Sequence, residues 1–155
     1  MEGTEKGQSD FPLDRFIKAQ EGVYERALTE IKSGRKRSHW MWFIFPQIKG
    51  LGHSATSRYY AISSLAEARQ YLAHPVLGKR LLECVQALLN LKGVTAGEIF
   101  GDLDDLKLRS CLTLFALAAG PGSVFEQALR KYYRGERDPL TLEILKRTGQ
   151  LSGTE

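Results

Sequence analysis

Short capping motifs divide the second half of the chain into helices. The segments SLAE (64–67), TAGE (95–98) and SVFE (123–126) each place a Ser or Thr three residues before a Glu. In this pattern the hydroxyl accepts a hydrogen bond from the third helical N–H, and the Glu carboxylate reaches back to the capping residue. Each motif therefore predicts the start of a helix. Asp138-Pro139 predicts another, because proline fits the first turn of a helix.

The apolar residues between these motifs recur at helical spacing. Residues 13–33 place apolar side chains three and four positions apart, with charged side chains on the opposite face, and predict one helix. Residues 105–119 end in LTLFALAA, which is apolar on all sides and predicts a buried helix after a break at Gly101. No segment alternates apolar and polar residues long enough to predict a strand. We expect an all-α fold, a compact single multihelical domain of about seven helices.

Length and composition favour one globular domain. The chain has 155 residues, of which 43% are hydrophobic and 26% charged. A chain of this length can bury a hydrophobic core that is stable without disulfides or structural metals. We expect the domain to span residues 13–148, between a disordered tail over 1–12 and a loose tail over 149–155. Cys84 and Cys111 fall in apolar helical patterns, which predicts buried thiols and neither a disulfide nor a metal site.

No membrane or export signal is visible in the sequence. The first ten residues are polar, unlike a signal peptide, and no apolar run approaches the roughly 18 residues of a membrane span. We therefore expect a cytoplasmic protein with no membrane partner.

Unusual side chains concentrate in residues 38–60. This segment holds both tryptophans, Trp40 and Trp42, two of the three histidines, and a Pro46-Gln47 step before a glycine-bracketed loop. An apolar run that ends in such a loop commonly forms a recessed pocket beside the core. Because the tryptophans are two residues apart, we expect them to face different ways, one of them into the core.

Polar side chains also occur where apolar ones belong. Gln20 lies on the apolar stripe of residues 13–33. Four more recur every three residues around the start of the buried helix: Asp104, Lys107, Ser110 and Thr113. Each has a structural interpretation, namely a Gln bonded to a loop, an exposed Lys, or hydroxyls bonded to the carbonyl one turn earlier. Alternatively, they face a ligand.

These observations predict a pocket that joins Gln20, residues 39–54 and the face over 104–113. The expected ligand-binding residues supply hydrogen bonds, charge or aromatic walls: Gln20, His39, Trp40, Trp42, Gln47, Ser54, Tyr59, Lys107, Ser110 and Thr113. His39, Asp104 and Lys107 are the candidates for catalysis, since histidine is the commonest general base. No nucleophile elbow, dinucleotide fingerprint or metal-ligand spacing identifies a reaction, and we predict no cofactor.

Four segments together carry a resemblance to a known family: RFIKAQ (15–20), GRKRSHWMWFIFPQIKGLGHS (34–54), YLAHPVLGKRL (71–81) and IFGDLDDLKLRSCLTLF (99–115). Over about residues 13–146 the chain resembles the bacterial domain of unknown function 1810, whose members are sometimes labelled "calpastatin". The resemblance implies a single, mainly helical domain without an established activity. Its motif positions include all of the pocket candidates named above. This chain has Cys111 where members often carry a serine.

A second resemblance suggests a class of ligand. The segment FPQIKGLGHSATSRYY (45–60) is similar in layout to part of the NAD- and ADP-ribose-associated helical enzymes typified by riboflavin-pathway N-glycosidases. Those enzymes carry an acidic residue where this chain has Arg58. The resemblance implies a nucleotide-like or ADP-ribose-like small molecule as the partner.

Two other functions stay open on sequence grounds. Exposed aromatic residues in 39–54 would suit a protein-interaction domain without catalysis. The basic cluster over 32–37, followed at once by aromatics, would suit a nucleic-acid-binding module, although no nucleic-acid fold signature accompanies it. The net charge of +4 is compatible with an anionic ligand without requiring one. The oligomeric state is not predicted.

Overall fold

The structure, a computed structural model, describes residues 11–152. Within this range the chain forms nine α-helices and no strand, and seven of the helices have seven residues or more. They are α1 (Asp14–Gln20), α2 (Tyr24–Lys32), α3 (Met41–Ile44), α4 (Ala55–Tyr59), α5 (Leu65–Ala73), α6 (Leu77–Asn90), α7 (Ala96–Ala119), α8 (Val124–Tyr133) and α9 (Pro139–Arg147). The prediction of an all-α domain is confirmed. Most of the tail predicted over 1–12, and the last three residues, lie outside the described residues.

The core forms around α7. This helix packs against α5, α8 and α9, while α6 packs against α2, α5 and α8. The all-apolar end of α7 is buried as predicted, with Leu112, Leu114 and Phe115 fully enclosed. Cys84 and Cys111 are both free and buried in this core, which confirms their interpretation as small apolar side chains.

The single helix predicted over 13–33 is wrong, because the chain forms two helices there. Helix α1 ends at Gln20 and α2 begins at Tyr24. Between them Gly22 has a φ of +72°, a left-handed conformation that glycine adopts without steric cost. The helical spacing of buried residues continues across the break, from Phe16 and Gln20 in α1 to Tyr24 and Ala27 in α2.

The break predicted at Gly101 is a kink within α7. Gly101 has φ 83° and ψ 170°, a conformation that is essentially restricted to glycine, while helix continues on both sides of it. The helix begins with the complete capping motif that the sequence predicts, since Thr95 accepts from the Glu98 N–H and Glu98 accepts from the Thr95 N–H. The kink redirects α7 immediately before Asp104.

The other capping motifs form only half of the reciprocal pattern. The Ser64 and Ser123 hydroxyls accept from the Glu67 and Glu126 N–H groups, as predicted. The Glu67 carboxylate, however, accepts from the backbone and hydroxyl of Ser63 instead of from Ser64. The serine hydroxyl thus marks the helix start in both motifs, and the Glu is free for tertiary contacts.

A short backbone pairing holds the segment around α3 and α4 against the core. The Ile62 N–H donates to the Gln47 carbonyl at 2.8 Å, and the Lys49 N–H donates to the Ile62 carbonyl at 2.8 Å. Ile48 and Ile62, the paired residues, are both buried. This pairing fixes the direction of the loop that follows Gln47.

The kink in α7 leads to a prediction about two of its glycines. A Cβ on Gly101 would meet no atom within 4 Å, so Gly101→Ala tests backbone conformation alone. We expect it to lower the free energy of unfolding by about 1–3 kcal/mol in denaturant titrations. The control is Gly97→Ala in the helical part of α7, which we expect to be neutral or stabilising by up to about 1 kcal/mol. Equal effects of the two substitutions would contradict the assigned kink.

Candidate functional site

A buried carboxylate organises the segment that leads into the site. Glu30, in α2, is only 8% exposed. Its Oε1 accepts from the Arg37 N–H at 2.8 Å, the Ser38 N–H at 3.1 Å and the Trp40 indole N–H at 2.9 Å, and its Oε2 accepts from the Ser38 hydroxyl at 2.6 Å. Sequence reasoning missed Glu30. Its spacing could have indicated that it is buried, because Glu30 follows the buried Tyr24 and Ala27 at intervals of three residues.

These hydrogen bonds keep Glu30 charged. Burial alone would raise the pKa of its carboxyl, but the donors, first the Ser38 hydroxyl and then the Arg37 N–H and the Trp40 indole, bring it down from 4.5 to about 2. Every one of these donors favours the ionised form. The carboxylate therefore holds residues 37–40 in place, and the Trp40 side chain, at 1% exposure, belongs to the core.

A groove lies where this segment faces the part of α7 that follows the kink. We call it the indole groove. The residues that line it include Lys36, His39, Trp42, Thr56, Asp104 and Lys107. Its volume is about 190 Å³, and Trp40 also contributes to its wall. The predicted division between the tryptophans is therefore present, with Trp40 buried and Trp42 half-buried at the groove.

Asp104 links two lysines within the indole groove. Its carboxylate lies 2.8 Å from the Lys36 amine and 3.0 Å from the Lys107 amine. Lys36 also lies 5.1 Å from the ring centroid of Trp40, and Lys107 lies 4.6 Å from that of Trp42, within cation–π range. Two cations thus share one carboxylate beside two indoles.

The lysines set the charge state of Asp104. Burial alone would raise the pKa of its carboxyl, but hydrogen bonds and charge from Lys36 and then Lys107 hold it below its ordinary value. The cluster of three charged groups carries one positive charge in excess. It therefore favours a ligand with an anionic or hydrogen-bond-accepting group.

A second, smaller cavity lies next to Trp42. We call it the Gln47 cavity; its volume is about 20 Å³, and Trp42 lines both it and the indole groove. Gln47 is 5% exposed, and its Nε2 has no hydrogen-bond partner among the described residues. A Cβ on Gly52 would lie 2.5 Å from the Ser57 Oγ and 3.2 Å from Trp42, so only glycine fits the wall there.

Gln20 lies outside both cavities. Its amide nitrogen donates to the Phe43 carbonyl at 2.9 Å and to the Tyr71 hydroxyl at 3.2 Å. Its Oε1 accepts from Arg80 at 3.1 Å. All these partners are protein groups, so Gln20 joins α1 to α3, α5 and α6. This agrees with a structural role for Gln20 and not with a ligand-facing one.

Ser110 and Thr113 contact the start of α9. The Ser110 hydroxyl lies 3.1 Å from the Leu106 carbonyl and 3.1 Å from the Asp138 carboxylate. The Thr113 hydroxyl donates to the Arg109 carbonyl at 2.8 Å and accepts from the Asp138 N–H at 2.8 Å. Both hydroxyls bond to the carbonyl one turn earlier in α7, which agrees with their structural interpretation. They also position Asp138, the residue that caps α9.

The remaining candidates divide between the groove and its surroundings. Ser54 caps α4 by accepting from the Ser57 N–H, and Tyr59 is 60% exposed in a separate surface groove. The structure brings five candidates together in the indole groove: His39, Trp40, Trp42, Asp104 and Lys107. Gln47 lines the smaller cavity, which shares Trp42 with the groove. It does not bring Gln20, Ser54, Tyr59, Ser110 and Thr113 into that lining.

Across residues 11–152, no group of three or more His, Cys, Asp or Glu side chains is placed to hold a metal ion. Over the same part of the chain, no helix combines the length and apolar character needed to cross a membrane.

Comparisons with known proteins match nearly the whole described chain. The family model described as "Protein of unknown function (DUF1810)" matches residues 10–145, which confirms the resemblance found in the sequence. Among solved structures, the fold is similar to that of the conserved hypothetical protein Rv1873 from Mycobacterium tuberculosis. The two share 48% sequence identity with a TM-score of 0.86, over 88% of this chain and 97% of that one. Among curated proteins, none matches this chain.

The ionised state of Glu30 predicts an acid-dependent contribution to stability. Because its pKa falls from 4.5 to about 2 on folding, the carboxylate contributes roughly 3 kcal/mol above pH 4.5, and this contribution is lost as the pH falls toward 2. Glu30→Gln should therefore be less stable than the wild type at neutral pH. The difference in unfolding free energy should shrink as the solution is acidified.

The matched control is Glu25→Gln, which changes an exposed carboxylate on the same helix. We expect this control to keep nearly wild-type stability at every pH. A difference between Glu30→Gln and wild type that stays constant from neutral to acidic pH would contradict the assigned role.

Proposed function

This chain belongs to the DUF1810 family, and we propose that it binds a small nucleotide-like ligand in the indole groove. Such a ligand combines a flat ring with an anionic or acceptor group. The ring would pack against Trp42 and His39, and the anionic group would bind Lys36 and Lys107. The observation that carries the proposal is the Lys36–Asp104–Lys107 cluster, which lies against both indoles in one groove.

The size of the groove limits what enters it. Pockets that enclose a whole drug-sized ligand measure about 300–1,000 Å³, whereas the indole groove measures about 190 Å³. It has room for one ring or one charged group, and the remainder of the ligand would lie outside. A nucleotide-like molecule, built from small linked units, suits this partial enclosure.

Lys107 has the freedom that ligand binding requires. Its amine lies between the Asp104 carboxylate at 3.0 Å and the Trp42 ring at 4.6 Å, and the residue is half-buried. It can turn toward an incoming anionic group while its stem stays on the groove wall. Lys36 is more enclosed and would provide a fixed charge.

The geometry supports binding more than a reaction. His39 lines the groove, but no hydrogen bond within residues 11–152 joins it to a nucleophile or to an orienting carboxylate. A general base ordinarily needs such a partner within hydrogen-bond reach. The proposal is therefore a ligand-binding protein, and the catalytic roles considered for His39, Asp104 and Lys107 are not part of it.

The alternative functions receive less support from the same segment. A docking loop would expose its aromatic residues, whereas Trp40 is in the core and Trp42 and Phe43 are half-buried. A nucleic-acid surface would use the basic cluster over 32–37 as a unit, whereas Lys36 turns inward to Asp104. Of the two, nucleic-acid binding is an outcome that titration with an oligonucleotide distinguishes.

Thermal-shift and calorimetric titrations test the proposal. AMP, NAD, ADP-ribose and a short oligonucleotide are titrated at low and high salt. We expect at least one of the three small molecules to raise the melting temperature of the wild type by several degrees. Lys107→Gln should weaken that binding about tenfold, because it removes a charge-assisted contact, and Trp42→Phe should weaken it less.

The matched control is Lys79→Gln, an exposed lysine outside the indole groove. It removes the same charge and should bind as tightly as the wild type. Equal affinities of Lys107→Gln, Trp42→Phe and the control would contradict the proposed site. Binding of the oligonucleotide alone, lost steeply as salt rises, would replace the proposal with nucleic-acid binding.

A further inference from the structure

We propose a second binding site, for the oxygen atoms of a phosphate or carboxylate group, next to Gln47. Its inner part is the Gln47 cavity, and its outer part is a basic surface groove that adjoins it. Of the residues that line these two spaces, only Trp42 also lines the indole groove. The site is therefore independent of the function proposed above.

An unsatisfied donor defines the inner part. Gln47 is 5% exposed, and its Nε2 has no hydrogen-bond partner among the described residues. The backbone on both sides is fixed, since the Gln47 carbonyl accepts from the Ile62 N–H at 2.8 Å and Ile48 is buried. A buried amide donor without an acceptor is destabilising, and natural proteins rarely keep one without a use. Its acceptor would come from a bound molecule.

The walls of the cavity limit that acceptor to a small group. The backbone at Gly52 approaches so closely that a Cβ there would lie 2.5 Å from the Ser57 Oγ. The enclosed volume is about 20 Å³, which is about the space that one water molecule needs. One oxygen atom of a ligand fits this space, and the rest of that ligand must lie in the outer groove.

The outer groove is connected to the cavity and is large. Lys49, Arg58 and Ala61 line both spaces, and the outer groove measures about 560 Å³. The exposed ring of Tyr59 stands at its side. An organic molecule that carries a terminal oxyanion would therefore have room for its body and an aromatic surface to contact.

One pair of charges in the outer groove is structural. The Arg15 guanidinium lies 3.0 Å from the Glu67 carboxylate and donates to the carbonyls of Tyr59 and Ala61 at 2.8 and 2.7 Å. These contacts use both charges to join α1, α5 and the end of α4. The pair supports the wall of the groove and leaves no net charge for a ligand.

The remaining charges favour an anion. Lys18, Lys49 and Arg58 line the outer groove, and within residues 11–152 none of their side chains makes an ion pair or a hydrogen bond. The lining holds two acidic residues, and since Glu67 is paired with Arg15, Asp14 is the one that opposes these three cations. Three cations against one carboxylate attract an oxyanion, and the Gln47 donor then selects the position of one of its oxygens. A neutral carbonyl would leave the cations unused.

Isothermal titration of the full chain with inorganic phosphate tests the proposal, with acetate in a parallel titration and chloride used to hold the ionic strength constant. We expect saturable binding of phosphate to the wild type. Gln47→Met, which keeps the shape but removes the donor, should weaken it about tenfold. Arg58→Gln should weaken it severalfold, and the distant Lys79→Gln should leave it unchanged.

Two further readouts keep the test decisive. Gln47→Met should melt at or above the wild-type temperature without phosphate, because its unpaired donor is gone. If that variant does not fold, Gln47→Glu, which has the same shape but repels anions, takes its place and should also lose binding. Acetate that binds as tightly as phosphate would extend the site to carboxylates, and acetate that does not bind would restrict it to phosphate. Wild-type affinity in the Gln47 variants, or no saturable binding to the wild type, would overturn the proposal.

Discussion

The buried carboxylate of Glu30 is the constraint on which both candidate sites depend. It accepts four hydrogen bonds from residues 37–40, and these bonds place the Trp40 indole in the core. A buried carboxylate without hydrogen bonds would be destabilising, but these four hydrogen bonds more than compensate for its desolvation. Since the chain then enters α3 in a fixed orientation, Trp42 comes to line two cavities, and Lys36 meets Asp104 in the groove.

Trp42 lines both a charged groove and a nearly closed cavity. In the groove, Lys107 covers its ring and pairs with Asp104, so the indole contributes both a wall and an electrostatic partner. In the Gln47 cavity, a Cβ on Gly52 would lie 3.2 Å from the indole, and the space holds little more than one oxygen atom beside Gln47. The family of this chain has no assigned activity in its description, so these two environments are the basis for the functions proposed here.

The sequence predicted what local interactions determine. The capping motif at 95–98 and the start at Asp138-Pro139 appear where predicted, because a cap depends on a few adjacent residues. The break at Gly22 was missed, since the apolar period continues across it. Ser110 and Thr113 show why the site was harder to predict than the helices. Their spacing is compatible with hydroxyls that face a pocket and with hydroxyls that bond to a carbonyl of their own helix. Only the tertiary contacts with Asp138 distinguish the two arrangements.

The most direct test of ligand binding in the indole groove is a nitrogen–proton correlation spectrum of the protein titrated in turn with AMP, NAD and ADP-ribose. The chain has two tryptophans, so the spectrum contains two indole signals, which a Trp42→Phe variant assigns. If the indole groove binds the ligand, the Trp42 signal moves with at least one of these molecules while the Trp40 signal, held by Glu30, stays in place. Movement of the Trp40 signal alone, or of neither signal with any of the three molecules, would contradict the proposed site.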